Sequence, residues 1–118
     1  GKIIQNVLEQ FFPQFIIVRA GYDGHKKDSI SHLNITTEGF YKFTEILKFF
    51  SNEFSENKLL FILEGGYNHQ AIKESVFASL NSLTDENINK QAFPFSEKIY
   101  TYIKNELNEI FQEKWYIL

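Results

Sequence analysis

The sequence predicts an α/β fold in which two short parallel strands are flanked by helices. Two apolar runs of strand length, residues 15–20 and 58–63, each end abruptly in a glycine-containing loop. A longer stretch with apolar residues at helical spacing follows each run, so the order strand, loop, helix occurs twice. The first run is apolar for most of its length, which indicates a strand buried on both faces and favours a parallel sheet.

The composition is that of a packed globular domain without thiol chemistry. With 118 residues, 43% of them hydrophobic and 17% aromatic, the chain can form one domain or part of one. The absence of cysteine excludes disulfides, thiolate zinc sites and cysteine nucleophiles. The net charge of −3 comes from interspersed acids and bases, and no apolar run approaches the length of a membrane span. We expect a cytoplasmic protein, or a nuclear one in a eukaryote, that binds neither nucleic acid nor membrane.

A short amphipathic helix is predicted ahead of the first strand. Residues 2–12 carry apolar side chains at helical spacing, and Pro13 ends this helix because the residue before a proline is pushed out of the helical region. The strand 15–20 follows, and residues 21–36 form a loop rich in charged side chains. Arg19, the one arginine of the chain, needs a partner if its strand is buried.

The second helix is predicted to begin at Thr36 or Thr37 and to end near Phe54. Glu38 places an acid in its first turn, where the helix dipole favours a negative charge. Apolar side chains recur on one side, which indicates a helix packed on a sheet. They are Phe40, Phe43, Ile46, Leu47 and Phe50.

The third helix is predicted from Asn68 to about Leu83, directly after the second strand. Small residues among the apolar ones on its inner face would let the helix sit close to the sheet. This face comprises Ala71, Ile72, Ser75, Val76, Ser79, Leu80 and Leu83. Residues 84–118 are predicted to form a C-terminal helical extension, whose helix opens at Ser96.

The loop after the first strand contains a carboxylate and an imidazole. Ligands gather at the carboxyl ends of strands in open α/β sheets, and Asp23 and His25 lie at that end. On an extended backbone both side chains would project to the same side and could chelate a metal such as zinc. Gly24 leaves the backbone free to turn instead, and an aspartate in this setting is commonly a turn former. The pair alone does not make a metal site.

The loop after the second strand contains two glycines followed by a tyrosine. Gly65 and Gly66 permit positive φ and close approach of the backbone to a ligand. The hydroxyl of Tyr67 could then donate a hydrogen bond to a developing oxyanion. The alternative is a tight strand-to-helix turn with a packed tyrosine and with Asn68 as the helix cap. The local pattern by itself favours this alternative.

Four segments of the chain occur in the order and spacing of one known family. They are Ala20–His25, Asp28, Leu33–Phe40 and Leu63–Asn68. Together they resemble the zinc-dependent histone deacetylase family, which includes acetylpolyamine and acetoin-utilisation deacetylases. The resemblance covers residues 13 to about 83, and Leu-Glu-Gly-Gly-Tyr-Asn is its most specific element. It implies a fragment of an arginase/deacetylase-type parallel sheet, with residues 1–118 as the carboxyl-terminal portion of a deacetylase domain.

The resemblance also implies roles for individual residues. Asp23 matches a metal-binding aspartate, and Tyr67 matches the tyrosine that polarises the substrate carbonyl opposite the zinc. Gly65 and Gly66 match backbone beside the substrate channel. His25 matches a position that does not bind metal, and Asp28 lies in the same supporting loop. The implied cofactor is zinc, and the implied substrate is an acetylated lysine or amine.

The chain also departs from the family pattern. The other two zinc ligands of the family lie on an Asp-X-His element and its general base belongs to a His-His pair, and both stand upstream of the matching segments. The only histidines here are His25, His32 and His69. Two functions therefore stay open: part of a zinc-dependent deacetylase, or a non-catalytic remnant that acts as a scaffold or interaction half-domain.

Two further expectations follow. A nucleotide-binding domain is disfavoured because the chain lacks a Gly-X-Gly-X-X-Gly loop. The chain is expected to be a piece of a longer protein, since it has no methionine at its start or elsewhere. Unpaired strand edges then lead us to expect association with the missing N-terminal half or with a second copy.

Overall fold

The structure, a computed structural model, describes residues 2–86 and 96–111. The elements are α1 (Lys2–Phe11), β1 (Ile16–Ala20), α2 (Thr37–Phe54), β2 (Leu59–Leu63), α3 (His69–Thr84) and α4 (Glu97–Phe111). The predicted α/β order is confirmed, with bounds that differ by one or two residues. The extension predicted over 84–118 contains α4, while its residues 87–95 and 112–118 lie outside the described residues. Within the described ranges, no helix combines the length and apolar character needed to cross a membrane.

The two strands pair in parallel, with α2 as the crossover between them. In this register Ile16 lies opposite Leu59 and Ala20 lies opposite Leu63. The backbone pairing continues one residue beyond β2, because the Glu64 N–H donates to the carbonyl oxygen of Ala20 at 3.1 Å. Parallel strands end at the same edge of a sheet, so the loops that follow β1 and β2 leave side by side.

One face of the sheet is covered and the other is open. Val18 and Phe61, on the covered face, help to line an apolar cavity of about 340 Å³ beneath α2. On the opposite face Ile17 is 59% exposed and Ile62 is 45% exposed. The prediction that the first strand is buried on both faces is therefore wrong for this chain. The physical reason is that α2 packs on one face of the sheet and no described helix covers the other.

Arg19 lies on the open face and has the partner that the sequence required. Its Nε donates to Oε1 of Glu64 at 2.7 Å, and both side chains are exposed to solvent. The hydrogen bond to Glu64 raises the pKa of the Arg19 guanidinium. An exposed pair of this kind contributes little to stability, because solvent screens its charges.

Small residues form the contact surface of α3. Its buried residues are Ala71, Ser75, Ala78, Ser79 and Ser82. The prediction that this helix sits close to the sheet is wrong, because α3 packs chiefly against α2. Its inner face is also rotated, since Leu80 was expected to point inward and is 54% exposed. The hydroxyl of Tyr22 donates to Oγ of Ser79 at 3.1 Å, and its ring lies 5.0 Å from the ring of Phe40. Tyr22 thereby ties the end of β1 to both long helices.

Side-chain caps fix the starts of α2 and α3. Oγ1 of Thr36 accepts a hydrogen bond from the Gly39 N–H at 3.0 Å. Oδ1 of Asn68 accepts one from the Ala71 N–H, also at 3.0 Å. Each cap satisfies a backbone donor that the first turn of a helix leaves without an intrahelical partner. The cap at Asn68 also fixes the point at which the β2–α3 loop ends.

Candidate functional site

The carboxyl ends of β1 and β2 carry the loops that contain the predicted site residues. The Tyr22 N–H donates to the carbonyl oxygen of Gly65 at 2.8 Å, so the two loops are joined one residue before Asp23. Tyr67 follows two residues after Gly65 in the same arrangement. The structure therefore brings the predicted metal ligand and the predicted oxyanion donor to one edge of the sheet, as parallel pairing requires.

The carboxylate of Asp23 lies against the backbone of two glycines. A Cβ atom on Gly65 would lie 2.6 Å from Oδ1 of Asp23, and one on Gly21 would lie 2.8 Å from it. Both distances are shorter than real Cβ atoms tolerate, so the carboxylate occupies space that any other residue would fill. Asp23 is half-buried and has no hydrogen bond or ion pair within residues 2–86 and 96–111. A partly buried carboxylate without a partner is available to bind a cation.

Gly66 gives the second loop its sharp course. Its φ is +132°, a region that residues with a side chain rarely adopt. A Cβ atom here would also lie 2.6 Å from Cγ1 of Ile72. The loop can therefore turn into α3 at this point only with glycine, and Tyr67 follows directly.

Tyr67 is held by its backbone and not by its side chain. The side chain is 66% exposed, and its hydroxyl has no hydrogen-bond partner in the described part of the chain. The alternative of a packed tyrosine is therefore wrong, although Asn68 does cap α3 as that alternative expected. An exposed, unpaired phenol is free to donate to a bound molecule.

Asp28 joins the two loops. Its buried carboxylate accepts from the N–H of Tyr67 at 2.6 Å and from the N–H of Asn68 at 3.0 Å through Oδ2. Oδ1 accepts from the Ile30 N–H at 3.0 Å. The hydrogen bond from Tyr67, followed by that from Ile30, lowers the pKa of the Asp28 carboxyl. Asp28 is thus an ionised anchor at neutral pH and not a free ligand.

His25 is fully buried and both of its ring nitrogens are occupied. Nδ1 accepts from the Lys27 N–H at 3.1 Å, so the neutral ring carries its proton on Nε2. Nε2 lies 3.1 Å from Oγ1 of Thr37, to which it donates. Burial, and then the charge of Lys27, lowers the pKa of the imidazole. This environment keeps His25 neutral and makes it part of the packing of the loop.

The hypothesis that Asp23 and His25 together chelate a metal is wrong. The His25 N–H donates to the carbonyl oxygen of Tyr22 at 3.1 Å, so the backbone turns between the two residues and is not extended. No cluster of three or more histidine, cysteine, aspartate or glutamate side chains that could hold a metal occurs in the ranges that the structure describes. Of the predicted residues, Asp23 alone retains a carboxylate without a partner at this edge.

Sequence reasoning missed the residues that support His25. Oγ1 of Thr37 lies 3.4 Å from Oε2 of Glu74, and Nζ of Lys27 lies 3.0 Å from the same oxygen. Glu74 is on α3, 47 residues after Lys27, so no local motif links the two. Lys27 lies in the loop between β1 and α2 and Glu74 in the second turn of α3, and their opposite charges were the only available signal.

Comparisons with known proteins agree on one family. The family model that matches residues 1–83 is that of the histone deacetylase domain. The chloroplastic histone deacetylase 14 of Arabidopsis thaliana is 34% identical over 101 residues, which are 86% of this chain and 23% of that protein. The acetoin utilization protein AcuC of Staphylococcus aureus is 26% identical over 113 residues, which are 95% of this chain and 28% of that protein.

A solved structure gives the same result for the fold. The crystal structure of the HDA15 HD domain matches 97% of this chain and 29% of that chain, with a TM-score of 0.70 and 26% sequence identity. The present chain therefore spans between a fifth and a third of the length of these three relatives.

Proposed function

Since this chain belongs to the histone deacetylase family, we propose that it forms part of a zinc-dependent deacetylase acting on acetyl-lysine or another acetylated amine. The observation that carries the proposal is the juxtaposition of the two loops. It places the unpaired carboxylate of Asp23 against Gly65, two residues before the exposed and unpaired Tyr67. A carboxylate oxygen is a suitable zinc ligand, so Asp23 fits the proposed metal.

In this proposal Asp23 supplies one zinc ligand and the rest of a deacetylase domain supplies the others. Zinc, when bound, activates water and withdraws charge from the substrate carbonyl. The Tyr67 hydroxyl donates a hydrogen bond to the carbonyl oxygen as negative charge develops there. Gly65 and Gly66 keep this edge free of side chains, which leaves room for the extended substrate.

A non-catalytic scaffold is the second candidate function. It is supported by the finding that, in the described part of the chain, Asp23 is the single unpaired carboxylate at the site. It is also supported by the engagement of both His25 nitrogens and both Asp28 oxygens in structural hydrogen bonds. It is also supported by the open sheet face, which is a surface suited to another polypeptide. The two candidates differ in whether Asp23 and Tyr67 matter for chemistry.

For either function we also propose a partner for the open sheet face. This face displays Phe15, Ile17, Leu60 and Ile62, which are 44–59% exposed. In our proposal it packs against the remainder of a deacetylase domain, and against a second copy of the chain when that remainder is absent. Apolar sheet faces and unpaired strand edges favour such association.

The deacetylase proposal can be tested in a grafted domain, in which residues 1–118 replace the matching segment of the HDA15 HD domain. In this graft Tyr67→Phe should retain zinc but lower turnover on an acetyl-lysine peptide by about a hundredfold or more, because one oxyanion donor is lost. Tyr102→Phe is the matched control, since Tyr102 is 65% exposed but lies on α4. Equal turnover of Tyr67→Phe and the parent graft would exclude Tyr67 from the mechanism.

The metal part of the proposal is tested by Asp23→Asn in the same graft. This variant should lose zinc on dialysis, because an amide oxygen without charge binds zinc more weakly than a carboxylate. Glu56→Gln, which removes an exposed carboxylate far along the chain, should retain it. An unchanged zinc content in Asp23→Asn would favour the scaffold function.

A further inference from the structure

We propose that Asp28 is a positioning residue for Tyr67, whose backbone it fixes so that the phenol is held at the edge of the sheet. The proposal rests on the proposed function in giving Tyr67 a catalytic task. The contact itself can be observed without zinc or substrate. Asp28 therefore acts through Tyr67 and need not touch the reacting atoms.

Tyr67 needs an anchor because the residues before it do not provide one. Gly65 and Gly66 have the greatest backbone freedom of any residue type, and Gly66 has the positive φ of +132°. The ring beyond them is 66% exposed, and its hydroxyl makes no hydrogen bond within the described residues. A catalytic group must be held in a narrow range of positions to contribute to the rate. For Tyr67 that restraint must come from its backbone.

The carboxylate of Asp28 provides this restraint from the other loop. The hydrogen bond from the Tyr67 N–H is short, at 2.6 Å, and charge-assisted bonds of this type are stronger than neutral ones. The two oxygens accept different hydrogen bonds. Oδ2 accepts from the N–H groups of Tyr67 and Asn68, whereas Oδ1 accepts from the N–H of Ile30. An amide at this position has only one oxygen, so it cannot satisfy both sets of donors.

Asp28 is itself fixed in space. Its N–H donates to the carbonyl oxygen of the fully buried His25 at 2.8 Å. Nδ2 of Asn68 donates to the carbonyl oxygen of Lys27 at 2.9 Å, which adds a second link between the same two loops. The Tyr67 backbone is thus connected to the loop that carries Asp23. The arrangement sets the position of the oxyanion donor relative to the candidate metal ligand.

The proposal is tested by hydrogen exchange and NMR spectra of the 118-residue chain. In Asp28→Ala the Tyr67 amide should exchange at least about tenfold faster than global unfolding accounts for, because a hydrogen bond to a charged group is lost. Its amide proton resonance should also move upfield. Asp28→Asn should show the same change to a smaller degree, and it serves as the second variant if Asp28→Ala does not fold.

Asn68→Ala is the matched control. It removes the cap of α3 and the bond to Lys27 but keeps the bond from the Tyr67 N–H to Asp28. Its Tyr67 amide should retain its resonance position, and its exchange rate should change only in line with global stability. The proposal is overturned if the Tyr67 amide is unchanged in Asp28→Ala and Asp28→Asn, or if Asn68→Ala shifts it equally. A catalytically inert Tyr67 in the grafted domain would instead overturn the proposed function and leave these spectra as expected.

Discussion

At the scale of single residues, the position of the Asp23 carboxylate depends on the absence of a Cβ atom in two neighbouring glycines. Oδ1 lies within 2.8 Å of the places where Cβ atoms of Gly21 and Gly65 would stand. Asp23 and Tyr67 could be proposed as site residues from the sequence because both belong to short motifs with a recognisable spacing. The sequence could not assign the role of Asp28, because the contact to Tyr67 spans 39 residues and leaves no local pattern.

Gly65→Ala should displace the Asp23 carboxylate without unfolding the chain. The new Cβ would lie 2.6 Å from Oδ1, and the end of a side chain can move away at little cost. The grafted domain with Gly65→Ala should therefore fold but bind zinc more weakly. Equilibrium dialysis would measure this, with Gly39→Ala in α2 as the control that should bind zinc as the parent does. Parent-like zinc affinity in Gly65→Ala would show that the carboxylate does not need its present position.

At the scale of elements, the packing of α2 against α3 depends on small residues. Helical spacing predicted both helices and their approximate ends, since periodicity and caps are local properties. It placed Leu80 on the buried face, whereas Ala78 and Ser82 occupy that face. A prediction from apolar character alone misplaced the buried face of α3, because close contact between helices requires small side chains there. Leu80 and Phe77 are more than half exposed as a result.

Two serines on this face should respond differently to replacement by alanine. Ser79 accepts the buried hydrogen bond from Tyr22, so Ser79→Ala should cost about 1–3 kcal/mol because the phenol loses its partner. Ser75 is fully buried and its hydroxyl has no partner in the described residues, so Ser75→Ala should be neutral or slightly stabilising. Urea denaturation of the three proteins measures the difference. A loss for Ser75→Ala as large as that for Ser79→Ala would contradict the assigned contacts.

At the scale of the whole molecule, the described residues form a packed side and an apolar side that none of them covers. The parallel pairing and its crossover helix were predictable, because apolar runs and their order determine them. The open face could not be predicted, because a run of strand-forming residues does not reveal which other elements are present to cover the strand. Ile17, Leu60 and Ile62 are consequently exposed, with Arg19 and Glu64 as the polar pair among them.

A charge on the open face should reduce association of the isolated chain. Ile62→Lys places an ammonium group on this face beside Arg19, where apolar contact with a second copy would have to bury the added charge. Sedimentation velocity should show less self-association than in the parent, at similar stability. Phe61→Lys, one residue earlier on the covered face, should instead unfold the chain. Unchanged association in Ile62→Lys would exclude this face as the contact surface.

We have proposed that this chain supplies one zinc ligand to a site that other residues complete. A zinc titration of the purified 118-residue chain, monitored by calorimetry, tests this proposal. Among residues 2–86 and 96–111, Asp23 is the only unpaired carboxylate at the candidate site, so we expect weak binding without a defined stoichiometry. Tight binding of one zinc ion by a monomer of this chain would contradict the claim.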